Sequence, residues 1–177
     1  MKNIKIIKKT IAGCYEIKLY KIKDKRGYFQ RLFEFDFLQK KLNLKKIKHI
    51  NNSLSLTKGT TRGLHYQINK GKEDKIIKCV SGSLDVFILD LRKKSKTFAK
   101  YLKIRLSKKR NNLVVVPRGC ANGIQTLENN TEIIYFVTNN YYPSLERGVN
   151  FFDKKFNFKL SLKPTVMSEK DKNWPKH

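Results

Sequence analysis

Apolar and polar residues alternate along several short segments of the chain, and a period of two predicts β-strands. The segments with this alternation, or with a short apolar run, are residues 84–91, 101–106, 113–116 and 131–137. Turn-forming residues separate them, at 81–83, 108–112, 117–119 and 128–130. Short strands at regular spacing with tight turns are typical of an antiparallel sandwich or barrel.

One segment has the period of a helix instead. Phe35, Leu38 and Leu42 fall at i, i+3 and i+7, so they share one face of a helix over residues 35–42. The whole pattern predicts an all-β jelly roll with short N-terminal strands and one or two short helices. The C-terminal residues, which include Pro164 and Pro175, are expected to form an extended tail over the barrel.

Length and composition favour a single domain over residues 1–177. A chain of this length can bury a core of its own, and nothing marks an internal repeat or a linker. Cys14, Cys79 and Cys120 lack CxxC spacing, so they predict neither a disulfide framework nor a zinc ribbon. Since no segment approaches the roughly 20 apolar residues of a membrane helix, and no signal peptide is recognisable, we expect a cytoplasmic protein.

The charge of the chain is extreme. A formal net charge of +26 would ordinarily indicate nucleic acid, a membrane surface or another polyanion as partner. However, the lysines are spread through every segment, which fits a solvated surface better than a dedicated binding face. We therefore expect neither nucleic acid nor a membrane as partner, although the surface potential would attract anionic small molecules such as nucleotide diphosphates.

Proton chemistry near neutral pH points first to histidine. The chain has 3 histidines, at positions 49, 65 and 177, and His65 lies in an alternating segment, residues 62–67, among other polar groups. A core histidine bonded to a backbone carbonyl would explain the same position.

Motifs along nearly the whole chain resemble the dTDP-4-dehydrorhamnose 3,5-epimerase family, in the same order and at similar spacings. They lie at residues 24–29, 52–53, 59–67, 75–82, 90–98, 116–123, 135–143, 153 and 167–171. The resemblance implies a cupin-type jelly roll that forms a homodimer, with the N-terminal segment reaching towards the partner's pocket. It also implies epimerisation at C3, C5 or both carbons of a nucleotide-linked 4-keto-6-deoxy sugar, in surface polysaccharide biosynthesis and without a cofactor.

Inverting a carbon next to a ketone requires a base, a group that stabilises the enolate oxygen, and an acid. The resemblance makes His65 the base and Asp171 the carboxylate that orients it. It assigns Lys75 and Arg62 to the enolate oxygen. The resemblance also makes Tyr135 the acid that reprotonates the opposite face. Without the resemblance, Asp171 would be interpreted as a solvated acid in the tail, Lys75 and Arg62 as surface charges, and Tyr135 as an aromatic core residue.

The resemblance also implies a set of substrate-binding residues: Arg26, Phe29, Asn52, Gln67, Asn122 and Tyr141. An arginine suits phosphate oxygens because its guanidinium donates two hydrogen bonds. Phe29 is expected to pack against the nucleobase of the substrate. The alternatives are a turn for Arg26 and Asn52, and the core for Phe29 and Tyr141.

Three positions depart from the family pattern. Asn122 replaces a histidine that is usual in this motif, Arg31 replaces a common glutamate, and Ile50 corresponds to a frequent glutamine. Because asparagine forms hydrogen bonds but carries no proton charge, we expect an active epimerase with a shifted substrate or with action at one carbon only.

Other function classes also use cupin barrels. A metal-dependent oxygenase needs a ligand cluster such as His-x-His, which this sequence lacks, and we expect no metal. A nucleic-acid-binding barrel would need aromatic stacking residues clustered with arginine, and this sequence lacks such a cluster. A non-catalytic module that binds a nucleotide sugar or carbohydrate remains the alternative function.

Overall fold

The computed structural model describes residues 4–176, and strands dominate this part of the chain. The strands are β1 (Ile4–Lys8), β2 (Tyr15–Leu19), β3 (Ile22–Asp24), β4 (Gly27–Phe29), β5 (His49–Ser55), β6 (Thr61–Gln67), β7 (Lys75–Ser81), β8 (Ser83–Asp90), β9 (Tyr101–Ser107), β10 (Asn112–Val116), β11 (Cys120–Thr126), β12 (Thr131–Val137) and β13 (Glu146–Gly148). The helices are α1 (Phe35–Leu42) and α2 (Glu169–Lys172), with 3₁₀ turns at Asn69–Gly71 and Pro143–Leu145.

Two antiparallel sheets lie face to face. One has six strands in the order β1-β2-β10-β7-β12-β5, and the other has five in the order β13-β6-β11-β8-β9. Strands β3 and β4 form a separate hairpin. Successive strands often pass from one sheet to the other, as in a jelly roll. The all-β jelly-roll prediction is confirmed.

Three apolar layers pack against the two sheets, and strand β8 contributes to two of them. Its side chains alternate, so Val86 and Ile88 enter the layer between the sheets, while Phe87 and Leu89 enter a layer on the outer face. All residues of β8 are therefore buried, which explains why its sequence is a nearly continuous apolar run. A third layer covers the outer face of the six-stranded sheet, where α1 packs.

The element predictions agree closely with the observed bounds. The helix over 35–42 and the strand over 131–137 match, the strands predicted over 101–106 and 113–116 are each one residue longer at one end, and the strand predicted over 84–91 lies one residue earlier, at Ser83–Asp90. The shared face of α1 is incomplete, because Leu38 and Leu42 are buried whereas Phe35 is 43% exposed. No helix among residues 4–176 is long and apolar enough to span a bilayer.

The C-terminal segment crosses the outer face of the five-stranded sheet before it turns towards the end of β6. Phe156 and Phe158 lie in the outer apolar layer of that sheet. Beyond them, Leu162 exchanges hydrogen bonds with the Gln125 side chain, and the N–H of Thr165 donates to the carbonyl of Gly59. The tail is extended over residues 163–168, as expected, whereas Glu169–Lys172 form the helix α2.

Candidate active site

A cavity of about 450 Å³ lies between the two sheets. His65 of β6 lines it from the five-stranded sheet, and Lys75 of β7 and Tyr135 of β12 line it from the six-stranded sheet. The same three side chains line an adjoining pocket of about 210 Å³. The structure thus brings the predicted base, cation and acid to one hollow.

A bulge in β6 turns Arg62 and His65 to the same face of the strand. His65 pairs with Asn122 of β11 and Arg62 pairs with Ile124, so three steps along β6 match two along β11. In a regular strand an odd separation would direct the two side chains to opposite faces. Because of the bulge, both line the adjoining pocket.

Gly63 permits this bulge. Its φ is +97°, and a Cβ at this position would lie 2.8 Å from the carbonyl oxygen of Asn122 and 2.8 Å from the Cα of Gly123. Any other residue would meet both an unfavourable backbone conformation and a clash with backbone atoms. The glycine of the Arg-Gly-Leu-His motif therefore serves the geometry of the histidine.

Helix α2 supplies the partner of the histidine. Nε2 of His65 lies 2.5 Å from Oδ1 of Asp171, whose side chain is only 5% exposed. Ser168 caps the helix by accepting a hydrogen bond from the Asp171 N–H. With Nε2 engaged by the carboxylate, Nδ1 is the ring nitrogen through which His65 can accept a substrate proton.

The carboxyl of Asp171 is held in its anionic form. Burial opposes its ionisation, but hydrogen bonds from His65 and from the Gly63 backbone, with the charge of His65, lower its pKa below the ordinary value. The indole Nε1–H of Trp174 donates to Oδ1 as well, at 3.2 Å. An anion here fixes the imidazole ring and stabilises the imidazolium that forms when His65 takes a proton.

Lys75 is held by a buried carboxylate. Its Nζ lies 3.1 Å from Oε1 of Glu73, and the two side chains are 17% and 10% exposed. The side-chain amide of Gln67 donates to Oε2 of Glu73 and to the carbonyl of Asn140, and it accepts from the N–H of Tyr142. Gln67 lines the cavity, yet these bonds make it a support for Glu73 and for the segment after β12.

Tyr135 lies between β5 and β7, opposite Asn51 and Ile77. Burial and the negative charge of Glu73 raise the pKa of its phenol, and the positive charge of Arg62 opposes the effect. The phenol is therefore protonated at neutral pH and available as a proton donor in the cavity.

Arg62, Asn122 and Tyr141 lie at different parts of the hollow. Arg62 donates hydrogen bonds to Oγ of Ser55 and to the carbonyl of Leu54, both at 3.3 Å. Asn122 lines the adjoining pocket beside its strand partner His65. Tyr141 lines the main cavity, is 57% exposed and donates a 2.8 Å hydrogen bond to Glu146.

Three of the predicted binding residues lie outside this cavity. Arg26 pairs with Asp24 in the exposed β3–β4 hairpin, and Phe29 of the same hairpin is 62% exposed. Asn52 points away from the hollow and donates to Glu132 at 2.8 Å. Because side chains alternate along β5, its neighbour Asn51 lines the cavity instead.

Two of the three departures from the family pattern also lie elsewhere in this chain. Arg31 pairs with Glu34 and lines a separate N-terminal cleft. Ile50 is 59% exposed, whereas the preceding residue, His49, lines the cavity and hydrogen-bonds Asn140. Asn122 is the departure that lies beside the reacting groups in this chain.

Comparison with known proteins assigns the chain to a family. Residues 8–177 match the family model of dTDP-4-dehydrorhamnose 3,5-epimerase. The chain belongs to this family. The enzyme of that name from Sinorhizobium fredii is 34% identical over 167 residues, which are 94% of this chain and 86% of the relative. The family prediction is confirmed, and the protein is an epimerase.

Solved structures of the dTDP-4-dehydrorhamnose 3,5-epimerase family share the whole fold. The enzyme from Bacillus anthracis, with TDP and pyrophosphate bound, has a TM-score of 0.93 at 29% identity and covers 98% of this chain and 99% of its own. A dTDP-6-deoxy-D-glucose-3,5-epimerase from Legionella pneumophila, in complex with dTDP-4-keto-L-rhamnose, has a TM-score of 0.89 at 26% identity and covers 95% and 89%. The cupin-type jelly roll is therefore confirmed.

Sequence reasoning missed several polar groups at this epimerase site: His49, Asn51, Glu73, Glu146 and Trp174. Glu73 and Glu146 had a weak signal, because acids are scarce in a chain with 40 basic and 14 acidic residues. Trp174 had none, since it lies outside any periodic segment. Among residues 4–176 there is no group of three or more His, Cys, Asp or Glu side chains that could hold a metal ion.

Proposed function

We propose that this epimerase acts on a dTDP-linked 4-keto-6-deoxy sugar and inverts C3, C5 or both. The observation that carries the proposal is the placement of His65 and Tyr135 on opposite sheets across one hollow. A sugar ring between the sheets presents one face to the imidazole and the other to the phenol. Removal of a proton from one face and its return to the other inverts the carbon.

The reaction follows from the positions of the charged groups. His65 takes the proton next to the ketone, and Asp171 stabilises the resulting imidazolium. The negative charge moves to the ketone oxygen, where Lys75 and Arg62 stabilise the enolate. Tyr135 donates a proton to the opposite face of the carbon. Solvent then returns a proton to Tyr135 and removes one from His65, which restores the enzyme.

The nucleotide follows from the relatives and from charge. The solved relatives from Bacillus anthracis and Legionella pneumophila hold TDP and a dTDP-linked sugar. The net charge of +26 attracts an anionic diphosphate to the protein. A non-catalytic binding module would have no use for a buried carboxylate bonded to the histidine.

Solvent deuterium exchange tests the proposal. In D₂O, the wild-type enzyme is expected to exchange hydrogens of dTDP-4-keto-6-deoxyglucose at C3, C5 or both, as measured by NMR. His65→Ala should lower the exchange rate on the order of a thousandfold. Tyr135→Phe should retain more exchange than epimerised product, because it removes only the acid. Absence of exchange by the wild type with dTDP-, GDP- and CDP-linked donors would contradict the proposal.

We infer that the active form is a homodimer in which the β3–β4 hairpin enters the partner's cavity. Phe29 and Tyr28 of this hairpin are exposed aromatic residues, and Arg26 is an exposed cation that does not line the chain's own hollow. Leu54 and Leu56, at the edge of the six-stranded sheet, are also exposed. An apolar patch of this kind is typical of an interface.

Mixed dimers test this arrangement. Arg26→Ala and His65→Ala should each be inactive as homodimers, whereas co-expression of the two should restore about a quarter of wild-type activity, because half of randomly mixed dimers have one intact site of two. Light scattering should give the mass of a dimer. A monomeric and active enzyme, or no recovery on co-expression, would contradict the inference.

A further inference from the structure

Trp174, the chain's only tryptophan, lies against the strand next to His65. A Cβ on Gly148 would lie 2.0 Å from Cδ2 of the indole, so the ring occupies the space that a side chain would fill. Gly148 is the partner of His65 in the β13–β6 ladder. The indole and imidazole centroids are 5.9 Å apart, with the rings at 68°.

The same indole contacts the carboxylate that holds the histidine. Its Nε1–H donates to Oδ1 of Asp171 at 3.2 Å, and this oxygen also bonds Nε2 of His65. The segment around Trp174 is anchored independently, because the Asn150 side chain donates to the carbonyls of Lys172 and Trp174. The indole is thus fixed from both the strand side and the backbone side.

We propose that Trp174 is a positioning residue of the epimerase, which holds the Asp171 carboxylate in place and moderates its pull on the His65 proton. The inference rests on the proposed function, in which His65 is the base. A hydrogen bond donated to a carboxylate disperses its negative charge, so the carboxylate attracts a proton less strongly. Trp174 thereby keeps the imidazole from binding its proton too tightly to release it between turnovers.

This role predicts that loss of the indole N–H and loss of the Asp171 charge move the pH dependence of His65 in opposite directions. Removing only the indole N–H leaves Asp171 in place with a more concentrated charge, so the imidazole stays protonated up to a higher pH. Removing the carboxylate charge, or letting the tail detach, leaves the imidazole without its anion, so it loses its proton at a lower pH. The two effects have opposite signs and can be separated by a pH–rate profile.

Other charged and titratable groups face His65 from the surrounding elements, and substitution of Trp174 or Asp171 leaves these residues in the chain. They are Arg62 and Tyr66 of β6 itself, Glu146 of β13, which pairs with Lys170 of α2, Tyr141 after β12, and, across the cavity, His49, Glu73, Lys75 and Tyr135. None of them hydrogen-bonds the indole nitrogen in the described part of the chain. Nζ of Lys170 lies 5.4 Å from the indole centroid, and Trp174→Phe keeps an aromatic ring there. Loss of the indole N–H in that variant therefore alters the Asp171 carboxylate first.

The experiment compares Trp174→Phe, Trp174→Ala and Asp171→Asn with the wild type, by kcat and KM across pH and by thermal unfolding. Phenylalanine keeps an aromatic ring on Gly148 and lacks the N–H. We expect Trp174→Phe to lower kcat at pH 7 about tenfold with little change in KM, and to move the ascending limb of the kcat profile to higher pH. Trp174→Ala lacks the same N–H, and because Asn150 still anchors the backbone of the segment, it should move the limb in the same direction as Trp174→Phe. Asp171→Asn should move the limb to lower pH. Lys172→Ala, which removes an exposed partner of Glu169 on the same helix, is the matched control and should behave as wild type.

Each outcome decides whether Trp174 is a positioning residue or only a packing residue. A Trp174→Phe profile that is unshifted, or shifted to lower pH like Asp171→Asn, overturns the proposal and makes the tryptophan a simple packing residue. A shift to higher pH in Trp174→Phe with an unchanged unfolding temperature supports it. A wild-type enzyme that exchanges no solvent deuterium refutes the proposed function itself, and that result is read before any variant is compared.

Discussion

Glu73 places a negative charge beside both the cation and the acid of the cavity. Its carboxylate is 3.1 Å from Nζ of Lys75, and its charge contributes to the raised pKa of Tyr135. Lys75 is thereby fixed before the enolate forms, and preorganised charge is the usual source of large rate effects. One carboxylate therefore prepares two of the reacting groups.

Replacing Glu73 by glutamine should show both effects. Loss of the charge removes one of the causes that raise the pKa of Tyr135, so the descending limb of the pH–rate profile should move to lower pH. Loss of the ion pair frees Lys75, and we expect kcat to fall about tenfold. The rate of epimerised product formation, measured from pH 6 to pH 10, checks both effects, with exposed Glu169→Gln as the control. An unchanged descending limb would contradict the coupling between Glu73 and Tyr135.

At the scale of single residues, chemistry by itself named only His65, whereas the roles of Lys75, Tyr135 and Asp171 came from the family resemblance. The structure brings these four side chains together around one hollow. Asn52 was misplaced by one residue, because a strand of period two sends neighbours to opposite faces and the sequence around it carries asparagine at both positions.

The bulge in β6 is the element-level feature on which the site depends. It directs Arg62 and His65 to one face, and only glycine fits at position 63. Alternation predicted strands where turns bounded them, but an irregular strand breaks the alternation that sequence reasoning relies on. The bulge was therefore not predicted, even though the motif that contains it was recognised.

Gly63→Ala should disrupt both stability and activity. A Cβ 2.8 Å from two backbone atoms forces β6 away from β11, and we expect a loss of about 2–4 kcal/mol in the free energy of unfolding. Urea unfolding measures it, and the exchange assay should show little residual activity. Gly27→Ala is the control, since Gly27 also has positive φ (+132°) but nothing lies within 4 Å of its Cβ. Equal losses in the two variants would show that backbone conformation, not the clash, dominates.

Across the whole molecule, acids and bases are distributed differently. Buried carboxylates anchor the fold, among them Asp85 with Arg105 and Asp90 with Arg92, while most lysines are exposed. Burial opposes ionisation at both aspartates, yet hydrogen bonds from their arginines and neighbouring hydroxyls lower their pKa values. The fold class was predictable because it depends on period and turns, whereas this internal ion pairing depends on contacts between distant residues.

Acid should therefore destabilise the enzyme steeply. A carboxyl whose pKa is lowered in the folded state binds fewer protons than in the unfolded state, so its stabilising contribution is present above the unfolded value and lost as pH falls through the folded value. We expect the unfolding temperature to be flat near neutral pH and to fall below about pH 4. Thermal unfolding from pH 7 to pH 2 checks this, and Asp90→Asn should be less stable at pH 7 with a shallower acid dependence. A parallel decline in both proteins would contradict the assignment to Asp90.

The bond between His65 and Asp171 spans 106 positions of the chain. A refolding enzyme can therefore regain its sheets, and the spectroscopic signal of its strands, before the C-terminal helix docks. Recovery of catalysis should lag behind recovery of secondary structure, so turnover is a late marker of maturation in this protein.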